Sequence, residues 1–399
     1  MTDSKPTATV AGSSAEPFLP FALPEIGEEE IEEVVATLRS GWLTGGPRVQ
    51  RFEEGFRRIT GAQHAVALSS CTAGLHLALL ASGIGPGDEV ITTPFTFCAT
   101  VNVIIHAGAT PILADIRDDD HNIDVEQVAR KITQRTKALM PMHYGGQPCR
   151  MDELLALARE HKLRVIEDAA HALGAQDRGR PIGALSDAAV FSFYPIKPIT
   201  TGQGGMLTTN DQALAGQVRI LSLHGLSKNA WNRYAEGGSA EYQVLAPGFN
   251  YSMTDIQAAI GVHQLEKLER FQAQRTHLAG VYDRLLAGVP EVRCPQTREN
   301  VVHAWHLYPI RLELERLRCS RNEFIDELRK RGIGTSLHFI PIHLHPYYRE
   351  AFGFQPGDFP VAEQVYAGLI SLPLYPRMQD TDVERVVTAI QDIVQSSRR

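Results

Sequence analysis

The chain has 399 residues, 43% apolar and 21% charged, a balance that builds a large hydrophobic core without a metal or disulfide. Its 39 basic and 46 acidic side chains give a net charge of −7 with no basic block, which argues against nucleic acid and a polybasic membrane contact. Five scattered cysteines (Cys71, Cys98, Cys149, Cys294 and Cys319) form no CxxC pair, so neither a disulfide framework nor a zinc site is expected, and a reducing, cytoplasmic setting fits.

Residues 1–16 are rich in Ser, Thr, Ala and Pro and read as a disordered leader, with no apolar h-region of a secretory signal. Ile26–Ser40 has helical spacing and opens on Glu28-Glu29-Glu30, acids suited to a helix N-terminus. From Gln63 to Thr209, seven short apolar runs alternate with helical patterns such as Ala73–Ser82 and Met151–His161. The runs are Ala65–Leu68, Val90–Thr93, Pro111–Asp115, Ala138–His143, Val165–Asp168, Ala188–Phe193 and Gly205–Thr208. This alternation predicts an α/β fold with a mainly parallel seven-stranded sheet covered on both faces. Ligands then bind at the carboxyl ends of the strands. The stretch Val101–Ala114 is interrupted by Asn102, His106 and Pro111, too broken to span a bilayer. Gly225–Gly248 reads as a long loop carrying Lys228, Trp231, Arg233 and Tyr234. A helical pattern over Thr254–Leu286 leads into a smaller α+β unit, with strands expected at Ala304–Leu312 and Thr335–Phe339 and a helix at Arg321–Arg331. The expected division is a large α/β domain over 17–265, then a connecting helix and small C-terminal domain over 266–399.

Several strand ends carry residues that could do chemistry. Lys197 follows the apolar run Ala188–Phe193 and precedes a turn with Gly202, Gly204 and Gly205. Burial there lowers the pKa of a lysine and frees its amine as a nucleophile. Asp168 ends another buried strand, three residues before His171. A strand-end acid and a strand-end lysine are two parts of a pyridoxal phosphate site, the acid holding a protonated ring nitrogen; an N-cap role for Asp168 is the alternative. Ser69-Ser70-Cys71-Thr72-Ala73-Gly74 opens a helix after a strand, an arrangement that suits a phosphate or a simple cap. Phe97 could stack on a flat ring, and Ser192 could add a phosphate donor. Glu167, next to Asp168, should face the other way and is structural. His338, His343 and His345 lack a carboxylate or cysteine cluster, so no metal is expected. No GxGxxG after the first strand, no GxxxxGK[ST] and no HExxH is present.

In this order, Ser69–Ala73, Glu167–Gly174, Phe191–Gly205 and Gly248–Ala259 closely resemble the DegT/StrS nucleotide-sugar aminotransferases, pyridoxal-phosphate enzymes of fold type I. The resemblance runs from about Phe18 to Met378 and includes Gly41-Trp42-Leu43-Thr44-Gly45-Gly46 and Ser371-Leu372-Pro373-Leu374-Tyr375-Pro376. It implies Lys197 as the Schiff-base lysine, Asp168 as the partner of the pyridine nitrogen, and His171 beside the ring hydroxyl. Thr72, Ala73 and Ser192 match phosphate contacts, and Phe97 matches the stacking aromatic. Asn250 matches a residue that reaches the phosphate of a neighbouring subunit, which implies a homodimer with shared active sites. The implied substrates are L-glutamate and a nucleotide-diphosphate-linked keto sugar. Lys228, Arg233, Tyr234, His306 and His338 are candidate contacts for the sugar nucleotide. The chain departs from the common family pattern at Gln203, where glutamate is usual, and at Pro198, where asparagine is usual. A related branch with histidine in place of the lysine dehydrates sugars. A lyase or dehydratase outcome, or a cofactor-binding regulator without turnover, is the alternative.

Overall fold

All seven apolar runs become strands of one sheet in the computed structural model, which describes residues 17–227 and 241–399. The leader over 1–16, and Lys228, Trp231, Arg233 and Tyr234, lie outside the described residues. The strands are β1 His64–Leu68, β2 Glu89–Thr92, β3 Thr110–Leu113, β4 Thr136–Leu139, β5 Arg164–Asp168, β6 Ala188–Ser192 and β7 Gly205–Thr209. Their order across the sheet is β1-β7-β6-β5-β4-β2-β3. Only β7 runs against the rest, pairing antiparallel with β1 and β6; the remaining neighbours are parallel.

Strand alternation divides the apolar side chains between two cores. Ala65, Ala67, Val165, Phe191 and Met206 face one core, with Phe52 and Phe56 of α2 (Pro47–Thr60) and Leu154 of α6 (Met151–His161). Val66, Leu68, Ile166, Val190 and Leu207 face the other, under α3 (Cys71–Ala81), α4 (Cys98–His106) and α7 (Gln212–Ser222). Helix α1 (Glu28–Ser40) starts on its three acids and ends on Gly41 at φ 72°, a left-handed turn that glycine adopts without steric cost. Helix α5 (Val125–Lys131) follows β3.

The long pattern after Thr254 is two helices, α8 (Asp255–Glu266) and α9 (Leu268–Leu286), parted at Lys267. The Lys267 ammonium pairs with Glu30 at 2.7 Å, tying the joint to α1. Asp255 at the start of α8 is fully buried, yet it accepts N–H bonds from Gly46 (2.5 Å), Arg48 (2.7 Å) and Val49 (3.2 Å). Those N–H groups open α2, where an anion is favoured.

The C-terminal unit has a three-stranded antiparallel sheet: β8 Val292–Arg293, β9 Tyr308–Leu312 and β10 Leu369–Leu372. Helices α9, α10 (Arg321–Lys330) and α13 (Asp380–Ser397) share a core with this sheet, and α11 (Pro346–Phe352) and α12 (Pro360–Gly368) lie between. Leu19 joins this core and bridges to Ile333. Two expectations change here. The strand expected over Ala304–Leu312 begins only at Tyr308, because Trp305 sits at φ 47°. Thr335–Phe339 is not a strand: Ser336 makes a single bridge to Ser371, and β10 fills the place beside β9.

Close packing between β7 and the start of α3 depends on Gly205. A Cβ there would meet Ser70 C, Cys71 N and Ser70 O at 2.4–2.6 Å, all backbone atoms. Gly205→Ala is therefore expected to cost about 1–3 kcal/mol or more by overpacking. A urea midpoint equal to that of the parent chain would contradict this packing.

Candidate active site

The carboxyl edge of the sheet opens into a cavity of about 630 Å³. It is lined from the sheet side by Ser70, Thr72, Phe97, Asp168, Ser192 and Lys197, and from the C-terminal unit by Ser336–Ile340 and His345. Among the described lining residues, Asp168 is the only carboxylate and Lys197 the only lysine or arginine.

Asp168 is the last residue of β5. Alternation aims it to the same side as Ile166, toward α3 and α4. Its Oδ2 accepts from Thr100 Oγ1 at 2.7 Å and its Oδ1 from the Ala170 N–H at 3.1 Å, with Cys71 Sγ at 3.9 Å. Burial pushes its pKa up, and the Thr100 bond, the Ala170 N–H and Lys197 pull against that. Glu167 faces the opposite side and is structural, as expected: it bonds His143 Nε2 at 2.7 Å and Ser186 Oγ at 2.5 Å. The Cys149 N–H donates to His143 Nδ1 at 2.9 Å, so Nε2 carries the proton shared with Glu167.

Lys197 follows β6 on a turn closed by its own N–H to Tyr194 O at 2.9 Å. Burial draws its pKa down to about 8, with Asp168 and then Cys71 opposing. Ser192 ends β6 and lines the cavity.

Thr72 and Ala73 lie in the first turn of α3. The Ala73 N–H donates to the N-cap Ser70 Oγ at 3.0 Å, whereas those of Cys71 and Thr72 have no intrahelical acceptor. Phe97 stands at the mouth, 60% exposed, directly before α4.

His171 lies in the cavity wall, buried, with Nδ1 lacking a hydrogen bond among the described residues. Burial, then the positive charge of Lys197, holds its pKa well below the usual imidazole range, so the ring is neutral. Phe339 stacks near it, centroids 5.8 Å apart, and His306 packs at 4.2 Å. His306 is itself buried, is not among the lining residues, and both its ring nitrogens lack partners among the described residues. His338 does line the cavity, with Nδ1 3.0 Å from Ser371 Oγ and its pKa lowered by burial to about 3. His343 instead pairs with Glu363 at 2.8 Å, and among the described residues no group of three or more His, Cys, Asp or Glu side chains is placed to hold a metal ion. Asn250 is exposed and apart from the cavity of its own chain, in a bridge with Leu223.

Sequence reasoning missed Thr96, Thr100, Tyr194 and Phe339. Thr96 and Thr100 were detectable as two hydroxyls four residues apart across the start of a helix. Phe339 carries no sequence signal beyond being apolar.

Fold and site together define a class: the fold type I pyridoxal-phosphate-dependent transferases. The chain matches the DegT/DnrJ/EryC1/StrS aminotransferase family over residues 24–391 and belongs to it. It is 51% identical to the spore coat polysaccharide biosynthesis protein SpsC of Bacillus subtilis over 381 residues, 95% of this chain and 98% of that protein. Spr1654 of Streptococcus pneumoniae, described as a sugar aminotransferase in its PMP form, superposes with TM-score 0.89 at 33% identity, covering 95% of this chain and 99% of that one. PseC of Helicobacter pylori, an aminotransferase involved in the biosynthesis of pseudoaminic acid, gives TM-score 0.88 at 31% identity over 96% of this chain and 100% of that one.

The depressed lysine has a direct consequence. In the apoprotein, the neutral fraction of Lys197 grows as pH rises through about 8, against about 10.4 for an ordinary lysine. Competitive labelling with trace acetic anhydride should give Lys197 a midpoint near 8. A midpoint shared with the surface lysines would contradict the burial argument.

Proposed function

We propose that this enzyme moves an amino group from L-glutamate to a keto sugar linked to a nucleotide diphosphate, in two successive half-reactions. The chain is a sugar aminotransferase, and its cofactor is pyridoxal phosphate. The observation that carries the reading is Lys197 and Asp168 meeting in one cavity at the carboxyl edge of this sheet. The residues present fit the cofactor. The cavity offers a buried acid for a protonated ring nitrogen, an orphaned His171 Nδ1, and helix-start N–H groups with hydroxyls for a phosphate. When bound, the group supplies a carbonyl carbon that accepts the amino group and a ring that spreads developing negative charge.

The protein supplies the rest. Lys197 Nζ, uncharged above about pH 8, would hold the cofactor and, once released by the donor amine, would serve as the base for the α-carbon proton of the donor. Asp168 would hold the ring nitrogen, and neutral His171 would stand beside the ring hydroxyl. The Thr72–Ala73 turn and Ser192 would take the phosphate. Phe97, at the cavity mouth, would stack on the ring.

With one ammonium and no arginine among the described lining residues, diphosphate and donor carboxylates need cations from elsewhere. Lys228 and Arg233 are the candidates on this chain, with Tyr234. His338 faces the same space, and His306 acts from behind His171. Asn250, exposed and outside the cavity of its own chain, matches a family residue that reaches the phosphate of a second copy, which supports a homodimer as the working form. Among the described residues no helix is long and apolar enough to cross a membrane. All five cysteines are free, in keeping with the cytoplasm.

The test is amination of nucleotide-linked keto sugars by cofactor-loaded protein with glutamate, read by mass spectrometry. An amino sugar with one equivalent of 2-oxoglutarate is expected; no amination at either C3 or C4 of any sugar tried would overturn the substrate class. Lys197→Ala should lose more than the roughly 10²–10⁴-fold typical of acid–base catalysis alone. Asp168→Asn should lose about 10²-fold or more in kcat with the fold intact. Parent-like kcat in either variant removes that residue from the mechanism.

A further inference from the structure

We infer that Thr100, backed by Thr96, is a positioning residue: a directed relay of two hydroxyls clamps Oδ2 of Asp168 and holds its carboxylate in one orientation. This rests on the reading of Asp168 as the group that holds the cofactor ring. Both threonines are buried, at 1% and 0% exposure, and Thr100 does not line the cavity. Thr96 Oγ1 and Thr100 Oγ1 lie 2.7 Å apart, and Thr100 Oγ1 lies 2.7 Å from Asp168 Oδ2.

The direction of the relay follows from chemistry. An ionised carboxylate only accepts, so the Thr100 hydroxyl spends its one proton on Asp168. Its oxygen must then accept from Thr96, whose proton points inward. A chain of this kind strengthens its terminal bond. The other carboxylate oxygen has the Ala170 N–H and the distant Cys71 thiol, neither of which fixes Oδ2. Burial favours the protonated acid, and the Thr100 bond is the largest effect opposing it. A protonated acid with its proton on the cofactor side could not grip a protonated ring nitrogen. Local structure serves the same end. Thr100 sits in the first turn of α4, its N–H bonded to Phe97 O at 3.1 Å. One turn thus presents the aromatic at the mouth and clamps the acid at the base.

The test measures the dissociation constant of pyridoxal phosphate from apoprotein as a function of pH. The chains compared are the parent, Thr100→Val, Thr100→Ser, Thr96→Val and Asp168→Asn. Losing a hydrogen bond to a charged group should weaken binding about tenfold or more in Thr100→Val. Removal of the donor favours the protonated acid, so the pH below which affinity falls should move upward. Thr100→Ser should restore both, and Thr96→Val should move both the same way by less. If Thr100→Val matches the parent at every pH while Asp168→Asn binds weakly, the relay is overturned and the role of Asp168 stands. If Asp168→Asn itself binds like the parent, the underlying reading fails. Should Thr100→Val not fold, judged by circular dichroism, Thr96→Val decides: an unmoved acid limb overturns the relay.

Discussion

A carboxylate buried at the end of a central strand is the constraint around which this molecule is arranged. Taking such a charge out of water costs several kcal/mol unless hydrogen bonds and an opposite charge answer it. Asp168 is answered from three directions: Thr100 on α4, the Ala170 N–H on the turn that follows β5, and Lys197 beyond β6. The influence is mutual, because the same carboxylate keeps Lys197 from falling further than about 8. Burial wins on both groups. The result is an amine that loses its proton near pH 8, sharing a cavity with an acid whose ionisation depends on its hydrogen bonds.

Two structural units share the work of enclosing that pair. The C-terminal unit reaches the sheet edge through Gly146, where a Cβ would meet His171 O at 3.0 Å and Ala304 Cβ and His306 N at 3.1 Å each. Bonds from Ala304 N to Gly146 O (2.9 Å) and from Leu307 N to Gly145 O (3.1 Å) fasten the contact. That approach brings His306 against His171. A second tie, from Tyr144 OH to His338 O at 2.5 Å, brings the segment that carries His338 and Phe339 over the cavity. The histidines there stay neutral through burial and then through the nearby positive charge of Lys197, so their hydrogen-bonding state does not switch across the physiological range.

Most of the large sheet was legible in the sequence because its strands are short and apolar and most are separated by helical patterns, so the period changes cleanly. The order of Asp168 and Lys197 at strand ends was legible for the same reason. What escaped was set by tertiary contact. The break at Lys267 has no glycine or proline to mark it, and the residue at the joint is tied to Glu30, more than two hundred residues away. Thr335–Phe339 has strand-like composition, but its backbone pairs with β10 at a single bridge, Ser336 with Ser371, before it turns into the cavity wall. His306 looked like a substrate contact, yet it stands behind His171, a depth that spacing does not encode. Thr100 is easy to pass over because a helix-start threonine is common, and only the carboxylate of a distant strand gives its hydroxyl meaning.

The proposed chemistry turns on one covalent link. Borohydride reduction of the cofactor-loaded protein, followed by peptide mapping, should fix the pyridoxyl group on Lys197 Nζ alone. A label on another lysine, or on none, would contradict the account at its centre.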